Sequence, residues 1–297
     1  MVDIDRAWKR SLALAMAFAV VLAWVGVARA DHIVAIRGGA PERYTPGVGW
    51  VAMPTPVHVP MDGIAYDGDH HAYVVSVGEP GLCSFVEFAG ERVIGRMTQA
   101  QFRRAAHTSL TANCELHPDP AGGVLISASA ETLGSETSWS VNIVSKRATY
   151  LGYGYAATSD GHHVVLVQHT YFPPPVLGSA ELLAAGRWGL PDTLQLIVPM
   201  SMRFTWTDPA LSLSGKRFAA VRNSTLVTGP LGGPLLTLQR LPQDTVLYDL
   251  QWSDSGRDLV ALAGPEAGVS GRLLLINPGN GHEQTLATSV TGFAATP

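Results

Sequence analysis

Apolar residues in this chain form short runs of about four to six, separated by tight polar turns, and this pattern predicts β-strands. The clearest example runs from Gln251 to Leu286. There the turn Ser253–Gly256 precedes an apolar run, Leu259–Ala263, and a second run follows at Leu273–Ile276. The turn Asn277–Gly281 then leads into a third extended segment. This stretch predicts one antiparallel sheet unit of about four strands.

The turn of that stretch recurs along the chain, each time as a short β-like lead, a glycine turn and an apolar run. The copy at His117–Ser127 is the weakest. The turn glycines are separated by 54, 39, 54 and 41 residues, a spacing that brackets the length of one propeller blade. They are Gly68, Gly122, Gly161, Gly215 and Gly256.

The residues of the repeated turn are explained by the geometry of the turn, with no need for a catalytic role. Asp or Ser caps the turn, glycine supplies the positive φ that a tight hairpin needs, and the apolar run that follows is buried. Runs such as Val164–Val167 lack strict alternation, which indicates strands covered on both faces. Helical periodicity is poor, and the best helical candidates are Thr98–His107 and Ser179–Arg187.

These observations predict an all-β fold, a β-propeller of four-stranded antiparallel blades. At about 40 to 50 residues per blade, the 267 residues after the predicted leader allow five to seven blades, and we predict six. The segment Ile33–Ile36 is expected to pair with the C-terminal end and close the ring. The alternative is a pair of β-sandwiches.

Residues Met1–Ala30 have the pattern of a signal peptide. Basic residues precede an apolar stretch, Leu12–Val27, and Ala28–Ala30 supplies a small-x-small cleavage pattern. We therefore expect a mature protein that begins at Asp31, forms one domain over residues 31–297, and is periplasmic or secreted. An uncleaved membrane anchor is the alternative, since the apolar run approaches the length of a bilayer span. No later segment reads as a membrane-spanning helix.

The charge balance disfavours a nucleic-acid partner. The mature part carries 16 basic and 22 acidic residues, and a net charge near −6 argues against nucleic-acid binding, which needs a basic surface.

We expect the protein to be a monomer.

Two cysteines, Cys83 and Cys114, lie in the mature part. In an exported protein such a pair is most simply a disulfide. A redox pair or a pair of metal ligands fits less well, because there is no C-x-x-C spacing and two thiols do not complete a zinc site.

The sequence carries no recognised catalytic motif. The chain has no G-x-S-x-G elbow, no P-loop and no H-E-x-x-H, since Leu286 stands where the second histidine is needed after His282–Glu283. Gly152–Ala157 matches a relaxed dinucleotide-binding pattern but lacks a strand–helix unit around it. The sequence therefore predicts no catalytic residue and no cofactor.

Histidines are the one feature of the sequence that suggests a metal site. Two pairs follow equivalent turns, with acidic residues close by, and imidazole with carboxylate suits a transition metal. Adjacent residues on a strand point to opposite faces, however. We therefore favour solvated turn residues over metal ligands. The candidates are His70, His71, His162 and His163, with Asp67, Asp69 and Asp160 nearby.

The repeats resemble those of the TolB-type, WD40-like β-propellers of bacterial envelopes. The best copy is W-S-D-S-G at Trp252–Gly256, followed by I-N-P-G-N-G at Ile276–Gly281. It departs from the family pattern at Asp254, where proline is usual, and at Ser255, where aspartate is usual. The resemblance implies the propeller portion alone, because the mature chain has no room for the separate α/β domain of TolB.

Two functions from different classes follow. We expect a non-enzymatic envelope scaffold that binds a protein or peptide partner on one face of the ring. The alternative is a propeller hydrolase or lyase acting on a sugar or lactone. It is motivated by acidic residues and histidines in predicted loops and by aromatic segments that could stack on sugar rings, at Trp50, Tyr153–Tyr155 and Phe204–Trp206.

Overall fold

The structure is a computed structural model that describes residues 33–79, 82–109, 112–129, 136–172, 178–198, 205–241, 245–253, 256–265 and 270–295. The predicted leader, Met1–Ala30, and the predicted mature start at Asp31 lie outside these residues. Nearly all regular structure in the described residues is β-strand.

Four separate four-stranded antiparallel sheets follow one another along the chain. In each sheet the strands are ordered as in the sequence, so neighbours are joined by hairpin connections. The first sheet is β4 (Met61–Asp67), β5 (Ala72–Val77), β6 (Phe85–Ala89) and β7 (Arg92–Met97), and the second is β8 (Ala112–Pro118), β9 (Val124–Ser129), β10 (Thr137–Asn142) and β11 (Arg147–Tyr153). The third is β12 (Tyr155–Ser159), β13 (His163–Phe172), β14 (Gly178–Arg187) and β15 (Leu190–Leu196), and the fourth is β16 (Trp206–Leu211), β17 (Phe218–Arg222), β18 (Thr225–Gly229) and β19 (Leu236–Arg240).

A seven-stranded sheet joins the two ends of the described chain. Its order is β20 (Val246–Trp252), β21 (Leu259–Gly264), β22 (Gly271–Ile276), β23 (Glu283–Ala295), β1 (Ile33–Arg37), β2 (Ala40–Thr45) and β3 (Gly49–Ala52). The first half of β23 pairs with β22 and the second half with β1, where Ile33 lies opposite Ala295. The predicted closure by Ile33–Ile36 is therefore confirmed.

The innermost strands contact one another in a closed ring, in the order β4, β8, β12, β16, β20 and β23, with β23 contacting β4. This is the arrangement of a β-propeller with a central channel, so the predicted fold class is confirmed and the paired sandwiches are excluded. When the two halves of β23 are counted apart, the strands form six groups of four in the described residues. Six blades stays our prediction.

The core lies between neighbouring sheets. One cluster joins side chains of the first two sheets, including Phe85, Met97 and Trp139, and another joins Val221 and Leu226 to strands of the seven-stranded sheet. Because each sheet is covered on both faces, successive residues of a strand are buried together. This explains the unbroken apolar runs, such as Val164–Val167, in which all four residues are fully buried.

The structure places all five repeat glycines in the same position, the turn between the first and second strands of a sheet. Four of them have the positive φ expected of the turn, for example 84° at Gly161. Gly68 does not, and in its turn His71 adopts φ 47° instead. The turns also approach one another around the ring: the Gly123 backbone N–H, in the second sheet, donates to Asp67 Oδ1 of the first at 3.1 Å.

One of the two predicted helices is present. Helix α1 spans Gln99–Ala106, with a capping box at Thr98 and a left-handed C-cap at His107, so the bounds follow the predicted Thr98–His107. The prediction for Ser179–Arg187 is wrong. That segment is β14, paired with β13 along its whole length. The helix propensity of its Ala, Glu and Leu residues is overridden by tertiary strand pairing.

The predicted disulfide is confirmed. Cys83 and Cys114 are bonded, with their Cα atoms 5.4 Å apart. Cys83 follows β5 and Cys114 lies on β8, so the bond ties the first sheet to the innermost strand of the second. In the described part of the chain, no helix has the length and apolar character needed to cross a membrane.

Candidate functional site

A cavity of about 370 Å³ lies at one mouth of the central channel, on the face that carries the repeated turns. Residues from all six innermost strands or their turns line it. They are Tyr66, Gly68, Asp69, His117, Pro118, Asp119, Pro120, Ala157, Thr158, Ser159, Pro209, Ala210, Leu211, Leu213, Leu250, Gln251, Trp252 and Ala295.

The walls of the cavity are mostly apolar and are held by hydrogen bonds between sheets. Trp252 Nε1 donates to the backbone oxygen of Ala210, on the neighbouring innermost strand, at 3.1 Å. Asp119 Oδ2 accepts from Trp188 Nε1 at 3.1 Å. Leu213 is 45% exposed at the rim. A concave, preformed site with apolar walls and a few polar groups is typical of a binding pocket.

Next to the cavity, carboxylates gather in the channel around His117, which itself lines the cavity. His117 Nδ1 lies 3.5 Å from Asp249 Oδ1, and His117 Nε2 lies 3.9 Å from Glu115 Oε2. The Asp249 backbone N–H donates to Asp208 Oδ1 at 3.2 Å, while Gln251 Nε2 donates to Asp249 Oδ1 at 3.0 Å. Four innermost-strand carboxylate and imidazole side chains therefore converge from β8, β16 and β20.

Bulges in the innermost strands accompany this convergence. The pairing register shifts between Thr207 and Ala210 in β16, and between Tyr248 and Gln251 in β20. Asp208 and Asp249 lie within these bulges at φ 48° and 50°. A bulge changes the direction of a side chain relative to the regular alternation of a strand. A left-handed backbone conformation at a residue other than glycine is strained, and such strained residues are often found at functional sites.

The channel shifts the pKa of both kinds of group. Burial and then the charges of Glu115 and Asp249 raise the pKa of Asp208 to about 7, against the opposing hydrogen bonds from Thr207 and the Asp249 backbone. For His117, burial lowers the pKa, but the neighbouring carboxylates of Asp249 and Glu115 outweigh it and raise the pKa to about 10. The channel thus favours a positive charge among its carboxylates.

A second convergence lies at the rim of the same face. Asp67 ends β4, His70 lies in the turn that follows, and Glu87 projects from β6. His70 Nδ1 is 2.9 Å from Asp67 Oδ2 and 2.8 Å from Glu87 Oε1. Burial and the charge of Asp67 raise the pKa of Glu87 to about 7. Among the described residues, this is the group whose ligand atoms lie close enough together to hold a metal ion.

The other histidine candidates do not join this group. His71 Nδ1 lies 3.0 Å from Tyr66 Oη. His163 Nδ1 lies 3.0 Å from Asp160 Oδ2 of its own turn, and His162 is exposed. The two histidine pairs lie in separate turns. Of these four histidines, His70 is the one whose side chain contacts β6, through Glu87, in the described part of the chain.

The sequence reading missed His117, Glu115, Asp208, Asp249 and Glu87 as site residues. A signal existed for two of them: Asp208 precedes Gly215, and Asp249 precedes Gly256, by the same seven residues. Glu87 also had a signal, since it is a lone charge inside the apolar run of β6. Of the aromatic segments, Trp50 packs in a cluster within the seven-stranded sheet, Trp206 packs between the third and fourth sheets, and neither lines the cavity. Phe204 lies outside the described residues.

Comparisons with known proteins agree on the fold. No protein-family model matches the chain, and no curated protein matches it in sequence. A chain from the crystal structure of a nidogen/laminin complex is similar, with a TM-score of 0.59 at 11% identity, covering 89% of this chain and 98% of that one. A protein described as TolB from Agrobacterium tumefaciens gives 0.56 at 10% identity, covering 88% and 91%.

The tricorn protease is also similar, with a TM-score of 0.52 at 15% identity, and the match covers 87% of this chain but 26% of the protease chain. At such low identities the likeness establishes the fold alone. The chain therefore shares its fold with a TolB structure, as the resemblance of its repeats implied. Membership of the TolB-type repeat family stays a prediction.

Proposed function

We propose that this protein is an exported, non-enzymatic β-propeller that binds a segment of an envelope protein or peptide at the mouth of its channel. The cavity of about 370 Å³ carries the proposal, because the six innermost strands all contribute to it and its walls are largely apolar. Its volume lies in the range of ligand pockets, about 300 to 1,000 Å³. A pocket of that size accommodates a few side chains of an extended segment.

The charged side chains next to the cavity indicate which charge the bound segment should carry. Glu115, Asp208 and Asp249 lie on innermost strands that line the cavity, with the lining residue His117 as the cation beside Glu115 and Asp249. Asp69 and Asp119 add carboxylates to the lining. Electrostatic complementarity therefore favours a partner segment with apolar side chains and a positive charge, such as a lysine, an arginine or a free amino terminus.

Export is supported by two features. The leader pattern of Met1–Ala30 is that of a secreted chain, and a disulfide persists in an oxidising compartment. N-terminal sequencing of protein purified from the periplasm or medium is expected to begin at Asp31.

Peptide selection tests the binding proposal directly. A random-peptide display library is panned on immobilised mature protein, and enriched peptides are synthesised and measured by calorimetry. We expect 1:1 binding of peptides that carry apolar residues and a basic residue. Leu213→Arg, at the rim of the cavity, is expected to weaken binding by about tenfold or more, because it adds bulk and positive charge.

The matched control is Leu236→Arg. Leu236 is 70% exposed on β19 and does not line the cavity, so this variant should bind as the wild type does. Failure to enrich any peptide, or equal loss in both variants, would reject the channel mouth as the binding site.

One observation favours the second candidate, a hydrolase or lyase acting on a sugar or lactone. Asp208 has a pKa of about 7 and lies in the same channel network as His117, and a carboxyl poised near neutrality suits general acid–base catalysis. A panel of sugars and lactones tests it. Turnover abolished by Asp208→Asn but kept by Leu213→Arg would establish this function in place of peptide binding.

A further inference from the structure

We propose that Asp67, His70 and Glu87 form a binding site for a divalent transition-metal ion, with zinc the best match. The site lies at the rim of the face that carries the channel mouth, in the first sheet. It is independent of peptide binding, since none of its three side chains lines the cavity. The ligand atoms of the three residues all lie within 4.8 Å of one another.

The donor set is the first argument. One imidazole nitrogen and two carboxylate oxygens are ligands that zinc accepts. His70 Nδ1 lies 2.9 Å from one carboxylate oxygen and 2.8 Å from the other. A ring nitrogen carries at most one proton, so it cannot satisfy both carboxylates with separate hydrogen bonds. A single cation at the centre would contact all three donors.

Burial is the second argument. Asp67 and Glu87 are both fully buried, and Glu87 Oε2 has no hydrogen-bond partner among the described residues. Two carboxylates withdrawn from water at one point are costly unless a proton or a cation compensates them. Position 87 lies in the middle of β6, which is buried except at its last residue, so an apolar side chain would pack there at less cost.

The third argument is orientation of the ligands. Asp67 Oδ1 accepts from the Asp69 backbone N–H at 2.9 Å and from the Gly123 backbone N–H at 3.1 Å. These bonds fix the carboxylate and leave Oδ2 directed at His70. Hydrogen bonds of this kind preorganise metal ligands.

The space required is modest. A tetrahedral zinc ion with bonds of about 2.0 Å separates neighbouring ligand atoms by about 3.3 Å. The two nitrogen–oxygen distances therefore need to open by a few tenths of an ångström. The His70 side chain is 31% exposed, which leaves the solvent side for a water molecule as the fourth ligand.

The third sheet supplies an internal control. In its turn, His163 Nδ1 lies 3.0 Å from Asp160 Oδ2, the same i, i+3 pair as His70 and Asp67. No third ligand joins it, since the described residues contain one such group and it is the one in the first sheet. The turn of the third sheet thus has the histidine–aspartate pair without the third ligand, so it can serve as a control for the complete site.

Metal binding is tested on mature protein purified without a histidine tag and treated with a chelator. ZnCl₂ is titrated by calorimetry, and Co²⁺ is titrated by visible absorption. We expect one equivalent of each, with the cobalt bands of a four-coordinate ion. His70→Gln and Glu87→Gln should weaken zinc binding by about 100-fold, whereas His163→Gln should leave it unchanged.

Chemical footprinting of the wild type removes any dependence on the folding of the variants. Diethylpyrocarbonate modification is mapped by mass spectrometry with and without zinc, and zinc is expected to protect His70 but not His163. Absence of saturable zinc binding would overturn the proposal. So would equal protection of both histidines, or zinc binding that the His70→Gln variant retains.

Discussion

The side chain of His117 reaches across the central channel to Asp249, with Nδ1 3.5 Å from Oδ1. The two residues lie on β8 and β20, opposite each other in the ring of innermost strands. The pair is therefore a bridge between opposite sides of the propeller, and His117 also lines the mouth cavity. The raised pKa values of His117 and Asp208 are expected to make the stability of the fold depend on pH.

Asp208→Asn is expected to reduce a loss of stability that the wild type shows between about pH 4 and pH 7, and to leave the share contributed by Glu87. Because the folded-state pKa is raised to about 7, the folded protein holds a proton that the unfolded chain releases near pH 4. Stability therefore falls as pH rises through this window. Urea unfolding midpoints at several pH values measure it.

The control for that experiment is Asp192→Asn, which alters an exposed carboxylate on β15. It should keep the pH dependence of the wild type. The same slope in Asp208→Asn would contradict the prediction.

His117→Gln is expected to reduce a different pH dependence. The pKa of His117 is raised from 6.5 to about 10, so its stabilisation is fully present below about pH 6.5 and is lost as pH rises to about 10. The wild type should lose stability across that window, while the variant should start lower and lose less, above all between pH 8 and pH 10. Chemical unfolding from pH 6 to pH 10 measures the difference, with exposed His162→Gln as the control.

Replacement of both cysteines, Cys83→Ala with Cys114→Ala, is expected to lower the unfolding free energy by about 3 to 4 kcal/mol. The bond closes a loop with a sequence separation of 31, and the chain-entropy model gives a value of this size for such a loop. Urea unfolding of the variant and of the reduced wild type measures it. A loss below about 1 kcal/mol in both would show that the bond does not constrain the unfolded chain in this way.

Phe102→Ala is expected to cost about 3 to 5 kcal/mol. Phe102 is the buried residue of α1 and packs edge-on against Phe85 and Trp139, with ring centroids 6.1 and 5.5 Å apart. Arg104→Ala on the exposed side of the helix should stay within about 0.5 kcal/mol of the wild type. Thermal and urea unfolding compare the two, and similar losses would refute the assigned packing of the helix.

Much of the architecture followed from local chemistry. The turn glycines, the apolar runs and the bounds of α1 all depend on short-range signals, namely turn residues, caps and burial patterns. The helix predicted at Ser179–Arg187 was wrong because it, too, was inferred from short-range signals. A segment with helix-forming residues becomes β14 because β13 is available to pair with it, and that partner is not visible in a local pattern.

The site depended on tertiary structure. The sequence by itself determined strands, turns, a disulfide and a propeller, because each is specified by residues near one another in the chain or by the pairing of two cysteines. The convergence of His117 with Asp249 is decided by the ring, which brings β8 opposite β20. Glu87 likewise meets His70 because β6 packs beside β5 in the same sheet. Side-chain direction at a bulge and the distance across a channel are properties of the assembled sheets, so only the three-dimensional structure places these groups together.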